Sequence, residues 1–378
     1  MTITTLKTLF NTYKESALFG RYITLKNLDP ILDKLQSKLK IDIIGHSVLK
    51  APIHVIKLGN GPKRVLMWSQ MHGNESTTTK AVFDFLNAAE DDLIAHILKH
   101  CTIAIVPMLN PDGAKQYTRL NANNVDLNRD AQALSQPESV VLNHFFKTFS
   151  PNYCFNLHGQ RTIFSAGSTN NVATLSFLSP SVDKDRTLTR VRKQAMEIIA
   201  AINTNLQTIL PNQIGRYDDG FNDNCVGDAF QLKNVPTVLF EAGHYAEDYD
   251  REVVREFTFY ALVTALDYVS KTNVTGDNYQ SYFNIPENDK LFYDVIVKNA
   301  LVDGNICNIA IQFQERLVDD SLLFIPKVER FFTNERFFGH KVINASNLEV
   351  KTDKDEEIYI GYENDFVLIN NVKKSLKS

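Results

Sequence analysis

His72-Gly73-Asn74-Glu75 sets an imidazole and a carboxylate three positions apart, close enough on one short turn to close on a single metal ion. The apolar, β-prone segment Lys63 to Gln70 (KRVLMWSQ) precedes this pair, and STTTKAVFDFL, with helical periodicity, follows it. The pair therefore falls where a strand meets a helix, the place where open α/β sheets put their sites. Zinc takes imidazole nitrogen and carboxylate oxygen at about 2.0 to 2.2 Å, and a catalytic zinc keeps three protein ligands and one open position. A third ligand is needed. His158 is the candidate, because Tyr153 to Leu157 is another β-prone run that ends at a His followed by Gly159.

Other residues with chemical potential are spaced along the same region. Asn110-Pro111-Asp112-Gly113 is a turn signal directly after the apolar run Cys101 to Met108. Arg119 follows, then the string Val125-Asp126-Leu127-Asn128-Arg129-Asp130, in which Arg129 could simply pair with a flanking aspartate. Thr237 to Phe240 reads as a short buried strand that delivers Glu241, with Pro236 at its entry, where a missing N–H is tolerated. A carboxylate in that place is costly unless a cation or a metal lies near it.

In this order, H-G-N-E, N-P-D-G, Arg119, D-L-N-R, L-H-G and F-E resemble the zinc carboxypeptidases of the carboxypeptidase A type, peptidase family M14, over Lys63 to Glu241. The resemblance implies an α/β fold, an α/β/α sandwich with a mixed central sheet. It implies one zinc ion held by His72, Glu75 and His158, and Glu241 as general base. Arg119 resembles the arginine that stabilises the oxyanion. Asn128 and Arg129 match the pair that holds a substrate's terminal carboxylate, a task that suits the planar guanidinium fork. Members of the family often carry Asp two places before the third ligand; here Asn156 stands there, which would leave the ligand cluster less negative. By the same resemblance, the stretch Arg216 to Asp228 lies over the site. It is polar, turn-rich and acidic, Tyr217 is the candidate for a substrate-capping tyrosine, and an acid among Asp219, Asp223 and Asp228 would favour a basic departing residue unless all three are solvated.

The resemblance implies a metallocarboxypeptidase acting on a peptide or a small carboxylate-bearing substrate. An N-acyl amino acid deacylase of the aspartoacylase and succinylglutamate desuccinylase type resembles the same motifs, but N-P-D-G and D-L-N-R favour the peptidase. A non-catalytic peptide-binding module is the rival from another class, and the filled ligand and base positions argue against it. His96 and His100 stand four apart on an expected helix, yet HILKH lacks the glutamate of the H-E-x-x-H proteases, so they read as helix-surface histidines. His244, three residues after Glu241, either tunes that carboxylate or packs.

The elements that must carry these residues are readable in outline. Residues 1–272 form the expected catalytic domain, with a helical segment over 1–40 in which Leu28-Asp29-Pro30 marks a break between two short helices. Glu252 to Ser270 is its last helix, and Lys271 to Asn278 a polar linker. Residues 280–378 form a small β-rich domain of unknown role, with strands expected in LFYDVIV, NICNIAIQF, EEIYIGY and DFVLIN. The duplication Glu329-Arg330-Phe331-Phe332 and Glu335-Arg336-Phe337-Phe338 reads either as alternation within a sheet or as a patch through which a second copy would make a homo-oligomer. The 378 residues are 44% hydrophobic and 22% charged, an ordinary globular balance, and a net charge of −4 leaves no footprint for nucleic acid or an anionic membrane. Met1 to Lys7 lack a secretory apolar core, no stretch of about 18 apolar residues offers a membrane span, and Cys101, Cys154, Cys225 and Cys307 lie far apart. A cytoplasmic protein with free thiols is expected.

Overall fold

The computed structural model describes residues 1–334 and 336–377. In chain order the helices are α1 (Ile3–Tyr13), α2 (Leu25–Leu35), α3 (Thr77–Asn87), α4 (Asp92–His100), α5 (Pro111–Gln116), α6 (Pro137–Phe149), α7 (Arg190–Leu206), α8 (Val226–Leu232) and α9 (Glu252–Lys271). The strands are β1 (Lys40–His46), β2 (Pro52–Leu58), β3 (Lys63–Ser69), β4 (Cys101–Val106), β5 (Tyr153–Gly159), β6 (Phe164–Ala166), β7 (Leu175–Leu178), β8 (Ile214–Arg216) and β9 (Thr237–Ala242), then β10 (Asn288–Lys290), β11 (Phe292–Val302), β12 (Asn305–Val318), β13 (Ser321–Phe332), β14 (Phe338–Asn344), β15 (Val350–Lys351), β16 (Phe366–Ile369) and β17 (Val372–Ser375). Two compact units are present, one formed by Met1–Gln160 and Ala173–Asn288, the other by Arg161–Val172 and the chain from Asp289 onward.

The first unit is built on a mixed sheet in the order β1-β2-β4-β3-β5-β9-β7-β8. β4, β3, β5 and β9 run parallel at its centre, while β1, β2 and β7 pair antiparallel. Side chains alternate across a strand, and the central strands are buried on both faces. Val65 and Met67 of β3 join a core with Phe10, Phe83, Ile199 and Phe259 from α1, α3, α7 and α9. Leu66 and Trp68 face the opposite way, into a core with Leu142, Phe145 and Phe146 of α6 and Val226 and Phe230 of α8. Helices thus cover both faces of a mixed sheet, as the resemblance implies.

Between β3 and β5 the strand order reverses: β4, next in the chain after β3, lies on one side of it, and β5 on the other. At such a switch point the loops leaving the C-terminal strand ends part and open a crevice. β3 leads to His72 and Glu75, and β5 carries His158, so both candidate ligand segments flank this crevice.

Two expectations for this unit change. No break occurs at Leu28-Asp29-Pro30; α2 runs through Pro30. Thr24 and Asn27 form a capping box that starts the helix ahead of the proline, and Leu28, Ile31, Leu32 and Leu35 bury one face, which outweighs the missing N–H. Asn110-Pro111-Asp112-Gly113 is the start of α5 rather than an isolated turn, with Pro111 at the first helical position and the Gly113 N–H donating to Asn110 Oδ1 at 2.9 Å.

The second unit holds a four-stranded sheet, β13-β12-β11-β14, and a three-stranded one, β15-β16-β17. Their apolar faces meet in a core that includes Val295, Ile309, Ile311, Val328, Ile358, Tyr362 and Val367. Three hairpins close on two-residue turns, Asp303-Gly304, Asp319-Asp320 and Asn370-Asn371, in each of which both residues are left-handed, the geometry that matches strand twist. EEIYIGY is not a strand. Ile358 and Tyr362 are buried and hold a turn at Gly361, φ +94°, on the core, so their apolar spacing reflects two fastening points and not a pleat. The duplicated tetrads fall at the end of β13 and the start of β14, the two outer strands of one sheet; Phe332 and Phe337 meet edge to face at 5.4 Å, and Glu335 lies outside the described residues. Cys101, Cys154, Cys225 and Cys307 are free thiols, the first two buried. Among the described residues no helix is long and apolar enough to cross a membrane.

Candidate metal centre

β3 ends at Ser69, and Gln70 turns the chain with a left-handed φ of 48°. The turn that follows is held from beneath by the N-P-D-G segment. Asn110 donates from Nδ2 to Met71 O at 3.2 Å, and the Asn110 N–H donates to Gln70 O at 3.1 Å. The contact is too close for side chains: a Cβ on Gly73 would stand 2.0 Å from the Gly113 carbonyl carbon. Glycine in H-G-N-E therefore reflects backbone packing on N-P-D-G, and the two motifs form one scaffold.

On this scaffold His72, Glu75 and His158 converge. His72 Nδ1 lies 2.9 Å from Glu75 Oε1 and 3.1 Å from His158 Nδ1, and His158 Nδ1 lies 3.0 Å from Glu75 Oε2. Both imidazoles are buried. Four ligands at about 2.05 Å in a tetrahedron stand about 3.3 Å from one another; the two Nδ1 atoms, 3.1 Å apart, have nearly that spacing, and each lies within 3.0 Å of a different oxygen of the Glu75 carboxylate, so the three residues can close on one small cation. The donor set of two imidazoles and one carboxylate is also the zinc type.

Electrostatics around the cluster agree with that geometry. Burial opposes the charged form of Glu75, but His72 and His158 hold its carboxyl well below the usual range. Burial alone would lower His72, yet the Glu75 and Asp126 carboxylates outweigh it and raise the ring. Burial dominates at His158 and lowers it, which keeps that imidazole neutral and available as a donor of its lone pair.

Asp126 is the residue the sequence reading passed over. It accepts from His72 Nε2 at 3.1 Å, from Arg119 Nε at 3.0 Å and from the Asn128 N–H at 2.9 Å. A carboxylate on the far nitrogen of a ligating imidazole fixes its tautomer and orientation. The support for the cluster thus comes from Asp126 and not from position 156: Asn156 is fully buried, and neither amide atom has a partner among the described residues. The signal available in the sequence was the Asp two places before Asn128.

Of the remaining candidates, Arg119 and Glu241 lie against this cluster. Arg119 is half-exposed and, besides Asp126, reaches Glu75 Oε1 at 3.4 Å. Asn128 Oδ1 accepts from the Val226 N–H at 2.9 Å, which turns its NH2 edge away from α8. Arg129 makes no ion pair with its flanking aspartates. Its Nη1 donates to Asn128 O at 2.7 Å and to Cys225 Sγ at 3.1 Å, while Asp130 accepts from Ser135 and Gln136. Glu241 on β9 is the register partner of His158, and its Oε2 is buried without a hydrogen-bond partner among the described residues. Burial first and the Glu75 charge second push its carboxyl well up, against the pull of Arg119 and Arg251. Tyr217 directly follows β8, and its N–H bonds Phe177 O on β7 at 3.0 Å; the loop it opens ends at Cys225 beside Arg129. Of the loop acids, Asp219 is taken up by Arg186 and Arg192, and Asp223 is exposed. Asp228 is buried, accepts the Asn222 N–H at 3.1 Å, and is pushed up by burial to about 6. His96 and His100 are exposed on α4, as expected from HILKH.

A family model described as zinc carboxypeptidase matches residues 26–229, more than half of the chain. Among characterised relatives, mouse Carboxypeptidase M is 29% identical over 187 residues, covering 42% of each chain. Probable carboxypeptidase 2 of Arthroderma benhamiae is 32% identical over 108 residues, 28% of this chain. The chain spans about a fifth of the length of that fungal relative (20%). The fold is similar to that of carboxypeptidase A from Helicoverpa armigera, with a TM-score of 0.53 and 16% identity over 71% of this chain and 81% of that one. With the metal-type donor cluster seated at the switch point of a carboxypeptidase-like sheet and the family match running through the motifs that build it, the chain belongs to the zinc carboxypeptidase family, peptidase family M14.

Proposed function

We propose that this protein is a zinc-dependent metallocarboxypeptidase that hydrolyses the C-terminal peptide bond of peptides. The observation that carries this reading is the convergence of His72, Glu75 and His158 within hydrogen-bond distance of one another, with Glu241 aligned beside His158 on the next strand. One zinc ion held by the three would polarise the scissile carbonyl and bring the pKa of water to about 7.

The chain's own residues do the rest. Asn128 and Arg129 grip the substrate's terminal carboxylate, Asn128 through the NH2 edge that the Val226 N–H leaves free, and Arg129 by exchanging the weak sulfur acceptor of Cys225 for a carboxylate. Glu241 takes a proton from the attacking water and returns it to the leaving amine, a role suited to a carboxyl whose burial raises its basicity. Arg119, tied to Asp126, presents its charge to the oxygen that becomes negative on attack. Tyr217, at the head of the loop that ends beside Arg129, caps the bound substrate.

The test is mass spectrometry of a mixed pool of peptides and N-acyl amino acids incubated with zinc-loaded protein and with a Glu241→Gln variant. Loss of single C-terminal residues is expected with the wild type alone, the variant retaining its zinc. Release of acyl groups with peptides untouched would transfer the site to the deacylase reading. Peptides bound but not cut by either protein would make it a binding module.

A further inference from the structure

Arg251 stands just before α9 with φ +59°, a left-handed conformation that costs a non-glycine residue energy and favours glycine. Its side chain is not needed to start the helix: Asp248 already accepts the N–H groups of Glu252 at 2.8 Å and Val254 at 2.9 Å. The guanidinium is instead buried and turned toward the ends of two strands. Nη1 donates to Ala242 O at 2.7 Å, and Nη2 donates to Gln160 O at 2.9 Å.

Ala242 directly follows Glu241 on β9, and Gln160 lies two residues beyond His158 at the end of β5. The ladder between these strands ends here, in the bond from the Gln160 N–H to Ala242 O. Beyond it the chains diverge, since the Gly243 N–H turns to Thr174 O and Gln160 Nε2 to Ala173 O. The planar fork thus straddles the point where the two strands stop holding each other, one residue past the proposed base and two past the proposed metal ligand. A conformational cost retained for a side chain that the local turn does not need points to a task elsewhere.

We infer that Arg251 is a positioning residue that clamps the ends of β5 and β9 and so fixes the spacing between His158 and Glu241. The inference rests on the proposed roles of those two residues. The experiment compares wild-type chain, Arg251→Gly and Arg251→Lys by thermal melting, zinc content, the visible spectrum of the cobalt-substituted proteins, and kcat and KM on a short peptide. Glycine relieves the left-handed backbone but removes the fork; lysine keeps the charge without it. Expected for Arg251→Gly are a folded protein with a lower melting point, since the relieved backbone only partly offsets the cavity left by a buried side chain, zinc content close to wild type, an altered cobalt spectrum, and a kcat at least about tenfold lower with KM little changed; Arg251→Lys recovers part of the loss. A glycine variant with wild-type spectrum and kcat would overturn the clamp. Should the glycine variant fail to fold, Arg251→Lys decides: altered spectrum and kcat at wild-type stability support it, and wild-type values overturn it. Wild-type protein that cuts no peptide would overturn the carboxypeptidase reading, and the cobalt spectra would still decide on the clamp.

Discussion

Replacing Asp126 by asparagine isolates the carboxylate that orients His72. Asp126 accepts from three donors at once, His72 Nε2, Arg119 Nε and the Asn128 N–H, at 3.1, 3.0 and 2.9 Å. Burial works against its ionisation, but His72 and Arg119 hold the carboxyl well below its usual range. Asparagine keeps the shape, removes the charge, and necessarily turns an NH2 group toward either the histidine or the arginine, both of which are donors. Loss of such a partner behind a ligating imidazole lowers metal affinity about 10–100-fold, which corresponds to about 1.4–2.7 kcal/mol. His72 Nε2 and the Asn128 N–H share Oδ1, so an amide oxygen kept there accepts from both and turns the NH2 on Arg119; His72 loses the negative charge behind its ring, and global stability of the metal-free chain should change by no more than about 1 kcal/mol. The assay is competition for zinc against a chromophoric chelator at neutral pH, with melting of the metal-free protein as control. Unchanged zinc affinity in Asp126→Asn would refute the reasoning, because the charge of this carboxylate would then add nothing to the ligand it faces.

Two further predictions concern buried charge. Asp84 and Arg255 are both fully buried and joined by two hydrogen bonds of 2.6 and 2.7 Å, and Arg255 also holds Glu15 O and Leu18 O. Asp84→Asn removes the fully buried one of the two carboxylates that Arg255 meets, leaving Glu252 Oε2 at 3.1 Å, and should destabilise by about 3 kcal/mol, on the order of 5 °C in melting temperature for a unit of this size; an unshifted melt would show that Glu252 and the two carbonyls satisfy Arg255 without it. At Asp228 the sign runs the other way. Its carboxyl is raised from 3.8 to about 6, chiefly by burial, so the folded state holds the proton longer and stability falls as pH rises from about 4 to about 6. Asp228→Asn can still accept the Asn222 N–H, and should gain up to about 3 kcal/mol above pH 6 and nothing below pH 4; a gain independent of pH in denaturant titrations would exclude desolvation as the cause.

Much of the site was legible because metal ligation demands particular atoms at particular spacings. His72 and Glu75 are three apart on one turn, and His158 ends a strand-like run, so their types and settings narrow the chemistry before any fold is known. Asp126 and Arg251 were not legible in the same way. Each acts through one or two hydrogen bonds to a segment distant in sequence, and an aspartate beside an arginine, or an arginine before a helix, is common in surface positions with no such duty. The N-P-D-G segment shows the difference within one motif. Its composition announced a turn, while its support of the H-G-N-E backbone depends on a contact too close for any Cβ, which only the folded chain contains.

By itself the sequence determined the alternation of strands and helices, the two-sided burial of strands such as β3 and β9, and the identities of the candidate ligands, because these follow from local periodicity and from the chemistry of single residues. Tertiary structure alone decided the strand order that opens the crevice between β3 and β5, the assignment of Arg119 and not Arg129 to Asp126, and the gathering of Arg161–Val172 with the second unit. Those are pairings between distant segments. Their free energies come from packing and hydrogen bonds that form once the chain has closed on itself, and no local pattern encodes which of several equally suitable partners will meet.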